Sequence, residues 1–335
     1  MSLIDIDGLA IEYETPNGPL RAVDGVDLEI REGETVGIVG ESGCGKTTFA
    51  KSLMGMLDDN GSIVDGSIHY ENGEDFATYS EEQFRAIRWK EISYIAQNAM
   101  NALDPVYKVG SQIIEVIRYH EGGSKSEARD RAKQLLNDVG LDVSVYSDYP
   151  HELSGGQRQR VIIALALALD PPFIIADEPT TGLDVVVQDS ILQLIDEIKR
   201  EKGTSMLFIT HDISAVAEVA DRVAVMYGGR VVEIGTVTDV FKENAHPYAM
   251  GLRNAFPSIH DEDELVSIPG RPPNLIEPQN QCVFKNRCPF AAEECEDPPE
   301  MHSIHDGHQA RCHFTDRAAE FRERSSDPAT WEVDQ

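Results

Sequence analysis

Hydrophobic and polar positions alternate along "LIDIDGLAIEYE" (Leu3–Glu14), which predicts a half-buried strand. The pattern turns at Asn17–Gly18 and alternates again through "AVDGVDLEI", Ala22–Ile30. "TVGIVG" (Thr35–Gly40) is different: short, apolar and β-branched, it predicts a strand buried on both faces. "GKTTFAKSLMGML" then takes helical spacing. Residues 80–150 read as mainly helical, most clearly in "SKSEARDRAKQLLNDVGL". There Ser124 and Glu127 have capping-box spacing, Ala128, Ala132, Leu135, Leu136 and Val139 share a face, and Gly140 stops the helix. "FIIAD" and "SMLFITHD" are two more buried-strand patterns, each beside a helical segment. "RVAVMYGGRVVEIG" predicts a hairpin with a Gly-Gly turn.

Strands alternating with helices imply an α/β fold with a mostly parallel sheet. The N-terminal alternation adds a small antiparallel β subdomain, and about 85–160 an α-helical one. From about Phe256 proline rises ("IPGRPPNLIEP"), periodicity fades, and four of the five cysteines gather. A boundary near 250 divides the chain into 1–250 and a C-terminal extension, 251–335. No repeat of solenoid period is present in the sequence.

The longest apolar run, "VIIALALAL" (Val161–Leu169), falls short of the ~18–20 residues that span a bilayer. "MSLIDIDGLAIEYE" is acidic and has no basic segment followed by an apolar one, so no signal peptide is expected and a cytosolic location is. Acidic residues outnumber basic ones, 59 to 29, for a formal charge of −30. That balance argues against nucleic-acid binding. The acid is spread along the chain, so it reads either as a solvated surface that aids solubility or as the adaptation of a halophile, in which salt screens the repulsion.

"GESGCGKTT", Gly40–Thr48, follows a buried strand and opens a helix, and it fits the phosphate-binding P-loop. Its residues Gly40, Glu41, Ser42, Gly43, Cys44 and Gly45 turn backbone N–H groups toward an anion. Lys46 then reaches the β- and γ-phosphates, Thr47 ligates Mg²⁺, and Thr48 completes the motif. "FIIADEP" (Phe173–Pro179) ends a strand in two carboxylates. Asp177 reads as the Mg²⁺ partner and Glu178 as base or orienter for the attacking water, because adjacent strand-end residues point to different faces. "LSGGQRQR" (Leu153–Arg160) places Ser154 as the N-cap of a helix from about Gly155 to Leu169. With Gly155, Gly156 and Gln157 in its first turn, this is a second anion site, best explained if it serves ATP held by another subunit.

These three motifs, in this order, resemble the ATP-binding subunit of ABC transporters over roughly residues 1–250. The resemblance implies a P-loop ATPase core and a head-to-tail pair of subunits, each ATP lying between the P-loop of one and the "LSGGQ" of the other. It implies that ATP closes the pair and hydrolysis reopens it. Tyr13 looks like the aromatic that stacks on adenine, the alternative being packing in the small sheet. Gln97 resembles the glutamine that touches Mg²⁺ and water and relays nucleotide state to the membrane subunit. Asp184, in "TTGLD", resembles the aspartate that links the two sites, and Gly182 stands where the family often has alanine. His211, in "LFITHD", resembles the histidine that contacts the γ-phosphate.

"HPYAMGLRNAFPSI", "IPGRPPNL", "CVFKNRCPFAAEEC" and "RCHF" resemble the oligopeptide/dipeptide/nickel importer group, which extends the likeness to nearly the whole chain. The resemblance implies import of peptides at the cytoplasmic face of the cell membrane. Implied partners are two transmembrane permease subunits, a second ATPase subunit (sister or identical) and an extracellular solute-binding protein. The alternatives are the same machine importing nickel or a sugar, and a non-transport ABC ATPase. The charge and the resemblance together suggest a halophilic archaeon as source.

Cys282, Cys288, Cys295 and Cys312 are spaced C-x5-C-x6-C-x16-C, which is not the paired layout of a zinc ribbon. Four thiolates suit a 4Fe–4S cluster, which some importer ATPases similar in this segment carry; Zn²⁺ and four packed free thiols are the alternatives. Either metal acts as a staple for a tail with little apolar periodicity. His302, His305, His308 and His313 lie nearby and read as scattered surface histidines, the alternative being further ligands. Cys44 lies inside the P-loop and is expected to be oxidisable without nucleotide.

The charge reading has a direct check. If the acidic surface is a salt adaptation, the denaturation midpoint falls steeply as salt is lowered, followed by circular dichroism. Full stability in dilute buffer contradicts it.

Overall fold

The computed structural model describes residues 1–71, 73–97, 102–255, 267–276 and 280–332. The change of texture from about Phe256 begins on residues outside these. The chain divides into two compact units, both discontinuous in sequence.

One unit comprises Met1, Ile30–Thr35 and Thr78–Ile209. Its sheet is parallel: β5 (Ile92–Ile95) pairs with β6 (Phe173–Asp177), and β6 with β7 (Ser205–Ile209). Every residue of β6 and β7 is buried, as the unbroken apolar runs predict for strands covered on both faces. Around them stand α2 (Glu81–Ile87), α3 (Val109–Glu121), α4 (Lys125–Asp138), α5 (Gly155–Ala166) and α6 (Val185–Lys202). The capping box at Ser124 forms: its hydroxyl accepts from Glu127 N, and the Glu127 carboxylate accepts from Ser124 N. Ala128, Ala132, Leu135, Leu136 and Val139 are all buried, and Gly140 stops the helix at φ 71°. The region 80–150 is not wholly helical, since it contains β5. Four residues are too few to show an alternation, and only pairing with β6 makes them a strand.

The other unit comprises Ser2–Glu29, Val36–Ala77 and Thr210–Gln335. Its antiparallel sheet has the order β2-β1-β4, from β1 (Ser2–Thr15), β2 (Gly18–Arg31) and β4 (Gly61–Tyr70). Beside it, β3 (Thr35–Val39) runs parallel to β8 (Arg222–Tyr227). Strand β8 turns at Gly228–Gly229 into antiparallel β9 (Arg230–Thr236). Both turn glycines have positive φ, 57° and 80°, which a two-residue hairpin of this hand requires. Helices α1 (Lys46–Leu53), α7 (Ile213–Val219), α8 (Val237–Lys242) and α9 (Pro247–Asn254) pack here.

The C-terminal segment adds to this sheet. A short hairpin, β10 (His302–His305) and β11 (His308–Ala310), pairs through β11 with β9. Helix α10 (Ala318–Ser325) closes a small core of Ala245, Met250, Phe290, Ala310, Ala318 and Phe321. The Phe290 and Phe321 rings stack in parallel at 4.1 Å. Aromatic packing therefore supplies a core that the weak periodicity of the tail did not announce.

Candidate functional site

In the unit that carries the C-terminal segment, the loop between β3 and α1 curls on its glycines. Gly45 has φ 105°, and a Cβ there would lie 2.2 Å from the Ala22 carbonyl oxygen, so no other residue fits. Lys46 is buried, and its ammonium donates to the carbonyls of Gly40 (2.7 Å) and Glu41 (3.0 Å). Cys44 is buried beside it, and burial pushes its thiol pKa up against the pull of Lys46. His211 follows β7 and is exposed. Tyr13 is half-buried, and a Cβ on the cross-strand Gly61 would lie 2.6 Å from its ring, which places the ring over that glycine.

The loop is held by residues that sequence reasoning did not single out. Arg287, from the cysteine-rich segment, makes a forked ion pair with Glu41 at 2.8 and 2.9 Å. It also donates to the Tyr227 hydroxyl, the Pro269 carbonyl and, more weakly, the Ile268 carbonyl. Burial opposes its charge, but the bonds to Glu41 and Tyr227 outweigh that and raise its pKa. The Tyr248 hydroxyl accepts from Glu41 N at 2.9 Å. A lone arginine in an aperiodic segment gives no sequence signal for a partner 246 positions away.

In the other unit, β6 delivers the two carboxylates. Asp177 is fully buried and accepts from the Tyr94 hydroxyl at 2.9 Å. Burial and the Asp177 charge both push the Tyr94 pKa up, which keeps it a donor. Glu178 is held at φ 51°, a left-handed conformation that costs a side chain about 1–2 kcal/mol. Its carboxylate accepts from Gln97 (3.0 Å) and from the Thr181 hydroxyl (2.8 Å). Gln97 and Glu178 are thus brought together, while Asp177 turns to Tyr94.

Ser154 caps α5, accepting from Gln157 N while the Gln157 side chain accepts from Ser154 N. The helix ends at Ala166, short of Leu169. Gly155 and Gly156 open it. A Cβ on Gly156 would meet Val187 of α6 at 2.6 Å, so the second glycine serves close helix packing. Asp184 is the N-cap of α6, accepting from Val187 N at 3.0 Å. Gly182 has φ 79°, a conformation alanine resists.

The comparisons with known proteins agree with this arrangement. Residues 23–181 match the ABC transporter family, and residues 232–295 match the C-terminal region of oligopeptide/dipeptide transporters. The dipeptide transport ATP-binding protein DppD of Escherichia coli is 41% identical over 94% of this chain and 97% of its own length. The chain belongs to the ABC transporter family of ATP-binding subunits. The oligopeptide transport ATP-binding proteins OppD of Salmonella typhimurium and AppD of Bacillus subtilis are 43% and 44% identical, over 92% and 93% of this chain and 93% and 96% of theirs. The ATP-binding cassette MJ0796, solved as a dimer in a post-hydrolysis state with ADP and Pi, superposes with a TM-score of 0.63 at 29% identity. That match covers 70% of this chain and 98% of MJ0796. The fold is the ABC ATPase cassette, with its antiparallel N-terminal sheet and helical subdomain, and the chain is an ATPase. Among the described residues, no helix is long and apolar enough to cross a membrane.

The iron–sulfur expectation is corrected. None of these relatives' descriptions mentions a cluster. Cys282, Cys288, Cys295 and Cys312 instead line a cavity of about 10 Å³, room for about one water, together with Phe284, Phe290 and other apolar groups. Burial raises the thiols of Cys282, Cys288 and Cys312, the last to about 12. As free thiols the four line the cavity beside the aromatic rings. His308 also departs from expectation: it is fully buried, not a surface histidine.

The Arg287–Glu41 fork should matter beyond its neighbourhood. Arg287→Ala is expected to cost about 3 kcal/mol in denaturant unfolding, because Glu41 keeps its charge without its partner. Amide exchange at Cys44–Lys46 should quicken; unchanged exchange there would mean the fork does not hold the loop.

Proposed function

We propose that this chain powers import of peptides across the cytoplasmic membrane, binding and hydrolysing ATP as a peripheral subunit at the cytoplasmic face. What carries the reading is likeness along nearly the whole chain, tail included, to ATP-binding subunits named for dipeptide and oligopeptide transport. Residues 1–250 form the ATPase and 251–335 the transporter-type extension. Two permease subunits, an extracellular solute-binding protein and a second ATPase subunit complete the machine.

The residues take separable parts. Lys46 and the amides of Gly40–Thr48 bind the phosphates, with Tyr13 stacking on the adenine. Thr47, Asp177 and Gln97 are the Mg²⁺ side of the site. Glu178 activates or orients water; its bonds to Gln97 and Thr181 fix the carboxylate, which supports that role. His211 senses the γ-phosphate. Ser154, Gly155, Gly156 and Gln157 present the capped start of α5 to ATP held by the paired subunit, and Asp184 lies at the coupling between sites. ATP favours the closed pair and its hydrolysis releases it, so the nucleotide cycle drives the permease.

Replacing Glu178 by Gln is expected to leave ATP binding intact and lower turnover by about 10²–10⁴-fold. In proteoliposomes holding the full transporter, the wild-type rate should rise with binding protein loaded with a peptide. Stimulation by a loaded sugar or nickel instead would overturn the substrate, and undiminished hydrolysis in the variant would overturn the role of Glu178.

A further inference from the structure

Helix α8 and the β10–β11 hairpin bring together three side chains that the nucleotide chemistry does not use. Asp239, His305 and His308 each offer a donor atom, and these atoms lie within 4.8 Å of one another. His305 Nε2 stands 3.2 Å from Asp239 Oδ1. His308 Nε2 stands 2.8 Å from Glu233 Oε1, with both side chains fully buried. Its other ring nitrogen, Nδ1, is buried and has no hydrogen-bond partner in the protein.

Glu233 is itself fixed, accepting from the backbone amides of Ala245 and His246 at 2.8 Å. A carboxylate that accepts from Nε2–H sets the tautomer of His308 and leaves a lone pair on Nδ1. This is the outer-shell support that metal-bound histidines commonly have. Asp239 is oriented from the other side, accepting from the amide and hydroxyl of Thr236 at 2.8 and 2.7 Å. A Cβ on Gly235 would lie 2.8 Å from Asp239 Cβ and 3.0 Å from His308 Cδ2, so a glycine lets the two close up. His305 is exposed and leaves one side of the group open to water.

We propose that Asp239, His305 and His308 bind a borderline divalent transition-metal ion such as Zn²⁺, with His308 ligating through Nδ1 and Glu233 as its outer-shell partner. Two imidazoles and one carboxylate suit Zn²⁺, Ni²⁺ or Cu²⁺, and disfavour Mg²⁺ and Ca²⁺, which take oxygen ligands. Three protein ligands leave a fourth position for water. The ion ties the C-terminal hairpin to α8, a staple at a place other than the cysteines. The proposal stands apart from the transport reading.

The test titrates the chelator-stripped full chain with Zn²⁺ against a chromophoric competitor, without nucleotide. Co²⁺ substitution then reads the donor type, because thiolate ligands add a sulfur-to-metal charge-transfer band. His305→Ala removes an exposed ligand and should fold normally; Asp239→Asn keeps an acceptor for Thr236. Loss of even an outer-shell partner costs about 10–100-fold in affinity, so each variant should weaken one Zn²⁺ by roughly 100-fold or more. The Co²⁺ spectrum should show nitrogen and oxygen donors. Zn²⁺ binding equal to wild type in both variants, a spectrum of thiolate ligation alone, or no saturable binding would each overturn the proposal.

Discussion

Lys46 is 7% exposed, and a side chain of that charge can leave water only where its ammonium finds acceptors. The Gly40 and Glu41 carbonyls supply them. To reach Lys46, the loop must bend back on itself, which Gly45 permits because nothing larger fits against the Ala22 carbonyl. The same curl holds the start of α1 beside the ammonium. Much of the surrounding packing serves this geometry. The Gly228–Gly229 turn bonds to Cys44 O and receives Asp24 N, and the tail reaches in with Arg287 to fork Glu41. A segment far along the chain thus becomes part of the support for a loop near its start.

The legible part of this protein was the part written locally. A capping box, a Gly-Gly hairpin and unbroken apolar strands all depend on residues within a few positions, and each formed where the sequence placed it. The loop-to-helix turn at Lys46, the Ser154 cap and the strand ending in Asp177 took their local forms for the same reason. What escaped was non-local. Strand β5 is too short for a period and is made by its partner β6. Arg287, Tyr227 and Tyr248 reach the P-loop only through the fold. The core of the tail escaped because stacked aromatics need no regular spacing. Cysteine spacing alone could not separate metal ligands from small apolar packing groups, and His308 could not be known as buried until β11 joined β9.

The two carboxylates at the end of β6 are held in different ways. Asp177 ends a wholly buried strand and is held by Tyr94. Its neighbour Glu178 sits at φ 51°, where a side chain is tolerated only if its surroundings fix it. The bonds from Gln97 and Thr181 do so. Two adjacent carboxylates thereby acquire different environments, one enclosed and one partly open.

The central claim is that the loop around Lys46 is a phosphate cradle built by this chain. Its most direct test is calorimetric titration of the folded, nucleotide-free protein with Mg·ATP, beside a Lys46→Ala chain shown to be folded. The account predicts saturable binding of one ATP per wild-type chain, severely weakened in the variant. Equal binding by both chains, or none by the folded wild type, would contradict it.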